Sequence, residues 1–377
     1  MSFYTKSKNF FIPVHKQSGL TLIEIMIALL LGLFLIGGII QVFITNKQSY
    51  RLMEAQSRLQ ENGRFALELL NHDIRLAGYV GCSGIVNAPP KINPTVIANA
   101  PLVVPVDHFA GATAGIVAAS SLTAGNDYGG SFDSPQPALS TNPPDLTKSA
   151  DPITNAITGS DAITVQFTES CGGYTTVATN SVNPTGVIAA TNTCGITNGT
   201  GTSFAQIGTP LVISDCSTAH IFRASANTSQ NKDNLGGVAD TFTGKAAPGY
   251  APGSEILLFR SYTYYIRLGA GGQPSLWRLN NNYPLVANSN PEEMIEGIED
   301  MEITYGSDTD ADGSANRYIE TTAGANIVSV RIVLTVRSID DNILPSDNPQ
   351  RSYNGNNALV DRRLVKTFTT TIDLRNR

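Results

Sequence analysis

Residues 20–44 read LTLIEIMIALLLGLFLIGGIIQVFI. These 25 residues are enough, at about 1.5 Å per helical residue, to cross a hydrocarbon core of about 30 Å. The one ionisable side chain among them is Glu24. A charge at the centre of a membrane helix costs about 2.5–3.5 kcal/mol, and less toward an end. A carboxylate kept at this depth therefore needs a partner and marks a functional position.

The flank can supply that partner. Residues 1–19 carry Lys6, Lys8 and Lys16 and no acidic residue. A secretory signal places its apolar stretch before the cleavage point and loses it on processing. Here the small residue Gly19 precedes the apolar stretch, so a cut after Gly19 keeps the anchor and creates an α-amino group on Leu20. That amine lies about one helical turn from Glu24, close enough to pair within the chain or with a neighbouring subunit. The alternative is a signal anchor with a stray glutamate.

The helix is expected to continue beyond the anchor, because no proline occurs between Leu20 and Ala88. Leu52, Leu59, Ala66, Leu70, Ile74 and Ala77 recur at sevens, fours and threes, with charged residues such as Arg51, Glu54, Arg58 and Glu61 largely between them. One helix over residues 20–77 would be about 85 Å long. Gly37, Gly38 and Gly63 are its expected weak points, each costing about 1 kcal/mol relative to alanine.

Past this helix the composition changes. Residues 85–250 hold 13 of the 20 prolines and are heavy in Ala, Thr, Ser, Asn and Gly, with short strand-like runs at 162–167 and 210–214 and turn-rich segments at 126–130 and 142–145. From residue 255 the alternation sharpens. A strand over 256–268 and its hairpin partner over 275–279 flank a Gly-Ala-Gly-Gly turn, and further strands are expected over 327–336 and 365–374. Together with the high Gly and Pro content and a charged fraction of only 15%, this predicts an α+β fold: one long N-terminal helix packed on a large antiparallel β-rich domain. The expected divisions are 1–19 leader, 20–46 membrane and assembly helix, 47–80 amphipathic helix, and 81–377 globular domain.

Cys82, Cys171, Cys194 and Cys216 all follow the apolar segment. An even count beyond a membrane anchor suggests two disulfides in an oxidising compartment. Four cysteines allow three connectivities; the favoured one is Cys82–Cys216, tying the helix end to a strand, with Cys171–Cys194 closing a local loop. The formal net charge of −6 argues against a nucleic-acid-binding face.

Asp308-Thr309-Asp310-Ala311-Asp312-Gly313 carries three carboxylates on alternate residues before a glycine. Such residues can converge on one hard cation, with Ca2+ the expected ion. The twelfth position is Ile319, not Glu, so this is no EF-hand; Asn316 or Glu320 could complete a shorter site, and a solvated acidic turn is the alternative. No G-x-S-x-G, H-E-x-x-H, P-loop or dinucleotide fingerprint occurs. His15, His72, His108 and His220 are dispersed. The chain reads as a non-enzyme.

Gly19-Leu20-Thr21-Leu22-Ile23-Glu24 before an apolar helix resembles the class IV prepilin signal, with Leu20 departing from the usual Phe or Met. Leu59–Ala66, Asp73–Tyr79, Gly81-Cys82, Tyr264–Arg267, Ser275–Arg278, Ile295–Met301 and Thr370–Arg377 are similar to elements of the PilW family of minor pilins. The resemblance implies that prepilin peptidase cuts after Gly19 and methylates Leu20. It also implies a minor pilin, held in the inner membrane with its globular domain periplasmic. Such subunits join other minor pilins and the major pilin, prime assembly of a type IV pilus, and lie at the fibre tip beneath a PilY-type adhesin. Twitching motility, adhesion and DNA uptake would follow indirectly. The rivals are a J-like type II secretion pseudopilin, which shares the N-terminal chemistry, and a membrane-tethered periplasmic hydrolase built on the Asp308 cluster.

Overall fold

A computed structural model of the chain describes residues 19, 21–81, 91–92, 116–119, 156–157, 159–175, 210–223, 249–280, 291–320, 326–344 and 362–375. Helix α1 runs unbroken over Leu22–Leu76, 55 residues. Thr21 caps it: its carbonyl accepts the N–H groups of Glu24 (3.1 Å) and Ile25 (3.2 Å), and its Oγ1 accepts the Glu24 N–H at 3.4 Å. Thr21 and Glu24 thus stand at the spacing of a capping box. At the other end Arg75 complements the dipole in the last turn, and Gly78 at φ 74° stops the helix.

The chain divides into two compact units, Met1–Met53 and Glu54–Arg377. In the first, the apolar side chains between Leu22 and Ile44 are exposed almost throughout. The most apolar 18-residue window has a mean hydropathy of 2.7, and none of it is buried. Apolar on almost every side, this stretch of helix is suited to lipid.

In the second unit the helix meets two sheets. Twelve strands are described: β1 (Lys91–Ile92), β2 (Ile116–Ala119), β3 (Ala162–Tyr174), β4 (Pro210–Ser214), β5 (Ala219–Arg223), β6 (Glu255–Leu268), β7 (Pro274–Asn280), β8 (Glu292–Glu296), β9 (Ile298–Ser307), β10 (Arg317–Ile319), β11 (Ile327–Arg337) and β12 (Val365–Asp373). An eight-stranded sheet follows the order β1-β5-β4-β6-β3-β2, with β7 joining β6 to β8; a four-stranded sheet has the order β10-β9-β11-β12. All pairings are antiparallel except β1 with β5. A single residue, Gly297, separates β8 in one sheet from β9 in the other.

Alternation delivers one shared core. Leu59, Ala66, Leu70 and Ile74 from α1 pack with Ile163, Val165 and Phe167 of β3, Tyr264 and Ile266 of β6, Met301 and Ile303 of β9, and the even-numbered residues Val330 to Val336 of β11. The expected hairpin forms as β6 and β7, paired from Tyr262↔Asn280 to Leu268↔Pro274. Tyr264 and Ile266 share the buried face, whereas Leu268 is 49% exposed because it sits at the strand end beside the turn. The turn-rich segments at 126–130 and 142–145 lie outside the described residues.

Gly63 corrects an expectation. Helix α1 passes through it without interruption, and it is buried. A Cβ at Gly63 would come within 2.5–2.7 Å of three ring carbons of Phe368 on β12. Glycine is required here because the helix lies directly against that ring. Gly63→Ala should therefore destabilise the fold by about 1–3 kcal/mol through overpacking, outweighing the roughly 1 kcal/mol that alanine gains in helix propensity. Denaturant titration checks this, and Gly63→Ala combined with Phe368→Leu should recover part of the loss.

Candidate functional site

Gly19 is exposed, and Leu20 lies outside the described residues. Glu24 is exposed on the first turn of α1. Its backbone engages Thr21, as described above, and its carboxylate belongs to the acidic first turn, where the helix dipole favours negative charge. The dipole and cap explain how a carboxylate is tolerated there, but neither gives the side chain a buried partner.

The buried polar feature that the sequence analysis missed is Asp73. The Tyr264 hydroxyl of β6 donates to Asp73 Oδ2, and His72 Nδ1 lies 2.8 Å from Asp73 Oδ1. Asp73 is 5% exposed. Burial, with the neighbouring Asp73 charge adding to it, pushes the Tyr264 phenol far above its ordinary range, so it remains a donor. Arg278, held at 2.9 Å by Glu292, sits over the Tyr262 ring and against Tyr264. Asn62 adds a second tie from α1, donating to the Glu296 carbonyl at 2.9 Å. The signal was present in the spacing: Leu59, Gly63, Ala66, Leu70, Asp73, Ile74 and Ala77 form one stripe, and an aspartate within it must be paired.

Asp308, Asp310 and Asp312 are brought together, with one carboxylate oxygen from each lying within 4.8 Å of the others. Asp308 is buried, and the other two are exposed. Its carboxylate accepts N–H groups from Ala311 (2.7 Å), Gly313 (2.9 Å) and Asp310 (3.2 Å). Partial burial opposes ionisation of Asp308, but these donors outweigh it and hold the carboxyl below the usual range. Asn316 joins the cluster: its Nδ2 donates to Asp310 at 3.2 Å, and its Oδ1 accepts from Thr309. Three convergent oxygens, one of them kept ionised, suit a hard cation. The Asn316 carbonyl is already engaged by Thr309.

Neither Cys171, in β3, nor Cys216, between β4 and β5, carries a free thiol. Cys82 and Cys194 lie outside the described residues. A Cβ added at Gly81 would come within 3.2 Å of the Ser214 side chain, two residues before Cys216. Of the histidines, His72 is exposed beside Asp73, and His220 is buried with Nδ1 2.5 Å from the Tyr250 hydroxyl; His15 and His108 lie outside the described residues.

Residues 14–40 match the family model described as the prokaryotic N-terminal methylation motif, a match that takes in Gly19, Leu20 and Glu24. Residues 263–376 match the model described as Type IV Pilus-assembly protein W. Over these residues the chain is similar to the prokaryotic N-terminal methylation motif and to the PilW family of type IV pilus-assembly proteins. No curated protein and no solved structure matches it. The PilW match begins at Thr263 in β6 and takes in β7 to β12, and so includes Tyr264, the Asp308 cluster and the Phe368 ring facing Gly63. As pilins, members of this family associate with other pilus components and with the membrane.

Tyr264→Phe removes a donor from a buried carboxylate and keeps the ring. It should cost roughly 1–3 kcal/mol. The check is equilibrium unfolding of the chain, compared with Tyr262→Phe, whose ring does not bond Asp73.

Proposed function

We propose that this chain is a minor pilin that primes assembly of a type IV pilus and lies at the fibre tip with other minor pilins, above the major pilin and beneath a PilY-type adhesin. The observation that carries this reading is the joining, in one chain, of the methylation motif at 14–40 to the PilW match at 263–376 through a single 55-residue helix. Prepilin peptidase cuts after Gly19 and methylates Leu20, leaving the apolar helix in the inner membrane and the globular domain in the periplasm. Glu24 then pairs with the α-amine of a neighbouring subunit as apolar helix faces leave the bilayer and bury against one another. The role is structural, not enzymatic. Twitching motility, adhesion and DNA uptake depend on it through the pilus. Disulfides Cys82–Cys216 and Cys171–Cys194 staple the globular domain; the nearness of Gly81 to Ser214, where an added Cβ would have only 3.2 Å of room, supports the first pairing.

Because Glu24 also stands at the capping-box position, alanine would remove two functions at once. Glu24→Gln keeps the hydrogen-bonding capacity of the box and removes the charge. Under the pairing mechanism, both Glu24→Gln and Glu24→Ala leave a cleaved, stable subunit in the inner membrane while surface pili fall in number. Normal piliation with Glu24→Gln, in cells lacking a redundant minor pilin, would contradict the mechanism. Immunogold labelling of this subunit along the whole fibre, instead of at its end, would contradict the tip position.

The three convergent carboxylates support a second reading for the loop, as a calcium site held by Asp308, Asp310 and Asp312. An ion that binds only the folded state stabilises it by mass action, about 2.7 kcal/mol at one hundred times the dissociation constant. Calcium should raise the thermal midpoint of the chain, magnesium should substitute poorly, and Asp310→Ala should abolish the response. Equal melting curves in excess chelator and millimolar calcium would reduce the cluster to an acidic turn.

A further inference from the structure

The apolar part of α1 ends in a collar of different chemistry. Residues 45–53 read Thr-Asn-Lys-Gln-Ser-Tyr-Arg-Leu-Met, and all of them are exposed. They close the first compact unit, which ends at Met53. Helix α1 runs through them without a break, so its backbone stays bonded within the helix and only the side chains change. The first hydroxyl is also satisfied locally, because Thr45 Oγ1 donates to the Gln41 carbonyl at 2.9 Å.

Lys47 and Arg51 are the only charged residues between Glu24 and Glu54, and both are cations. At a spacing of four they stand on one flank of the helix, with Cβ atoms about 5–6 Å apart. Two long cationic side chains so placed can bracket one phosphate, lysine as a point charge and arginine through its planar fork. Tyr50, in the same turn, is 65% exposed. A phenol beside an apolar stretch suits the membrane–water boundary, where one end of the ring is apolar and the other wet.

The depth of these residues follows from the helix rise. Lys47 stands about 4.5 Å beyond Ile44 and Arg51 about 10 Å beyond it. The polar layer on either side of a hydrocarbon core is about 5–8 Å deep. Lys47 therefore falls within that layer and Arg51 at its outer limit, where a long side chain can reach back. Measured the other way, Glu24 lies about 35 Å from Lys47 along the helix. With Lys47 among the headgroups, that length carries Glu24 across a core of about 30 Å to the opposite boundary, where its carboxylate costs least. Membrane proteins favour Lys and Arg on the cytoplasmic side. Lys6, Lys8 and Lys16 already follow that bias, so Lys47 and Arg51 are not needed to set orientation.

We propose that Lys47, Tyr50 and Arg51 form a headgroup collar. It takes the phosphate of an anionic phospholipid in the leaflet at the Ile44 end of the apolar segment, and so fixes the depth of α1 before assembly. The proposal rests on the membrane-anchored reading above, and the test separates the two.

The test places a photo-crosslinking amino acid at Gln48 of the full-length chain. The chain is reconstituted in vesicles of equal parts phosphatidylglycerol and phosphatidylcholine, and intact mass identifies the adduct. Each cation near the surface is worth about fivefold in favour of an anionic lipid, so phosphatidylglycerol should be captured over phosphatidylcholine by at least about that factor. Lys47→Gln combined with Arg51→Gln should bring the two adducts level, whereas Lys47→Arg should keep the preference. Neither should move the thermal midpoint, because both residues lie outside the second compact unit. A second crosslinking position, at Leu33, reports on the apolar segment itself. Equal capture of the two lipids at Gln48, or a preference that survives the double substitution, would overturn the collar, while lipid adducts at Leu33 leave the anchor standing. An adduct of Gln48 with another copy of the chain in place of lipid would also overturn the collar. Lipid adducts at neither position would overturn the anchored reading with it.

Discussion

A helix that bonds its own backbone groups can leave water for lipid without exposing an unpaired N–H or C=O, and α1 uses that freedom along its first part only. Between Leu22 and Ile44 the side chains are apolar on almost every side. From Glu54 onward the same helix carries a single buried stripe, Leu59, Gly63, Ala66, Leu70, Asp73 and Ile74. Without that change in pattern there would be either a plain anchor or an ordinary core helix. The packing of both sheets depends on the stripe, because their inward residues share one core with it.

Two features fix how the stripe seats. Gly63 lets the Phe368 ring approach to a distance no side chain would allow, and Asp73 accepts the Tyr264 hydroxyl from the other sheet. One is a contact of shape and the other a buried polar bond. The helix is thereby tied to β12 on one flank and β6 on the other. Residues matched by the PilW model supply both receiving groups, so the matched C-terminal region contains the surface against which the second part of the helix packs.

Much of this was legible in the sequence, for physical reasons. The apolar run, the helix beyond it and the strands after residue 255 follow from periodicity, because each is long and strongly patterned. The Asp308 cluster was legible because its residues are neighbours in the chain. Gly63 was misjudged and Asp73 missed because their partners, Phe368 and Tyr264, lie far along the chain, 191 residues away in the case of Tyr264, and nothing local distinguishes a weak glycine from an indispensable one.

Under the proposed processing the apolar segment is kept, not discarded, and its new terminus is made at residue 20. Intact-mass analysis of the chain recovered from purified pili tests this most directly. The expected mature protein begins at Leu20 and carries one methyl group on its amine. A chain that still begins at Met1, or one cut beyond Ile44, would contradict it.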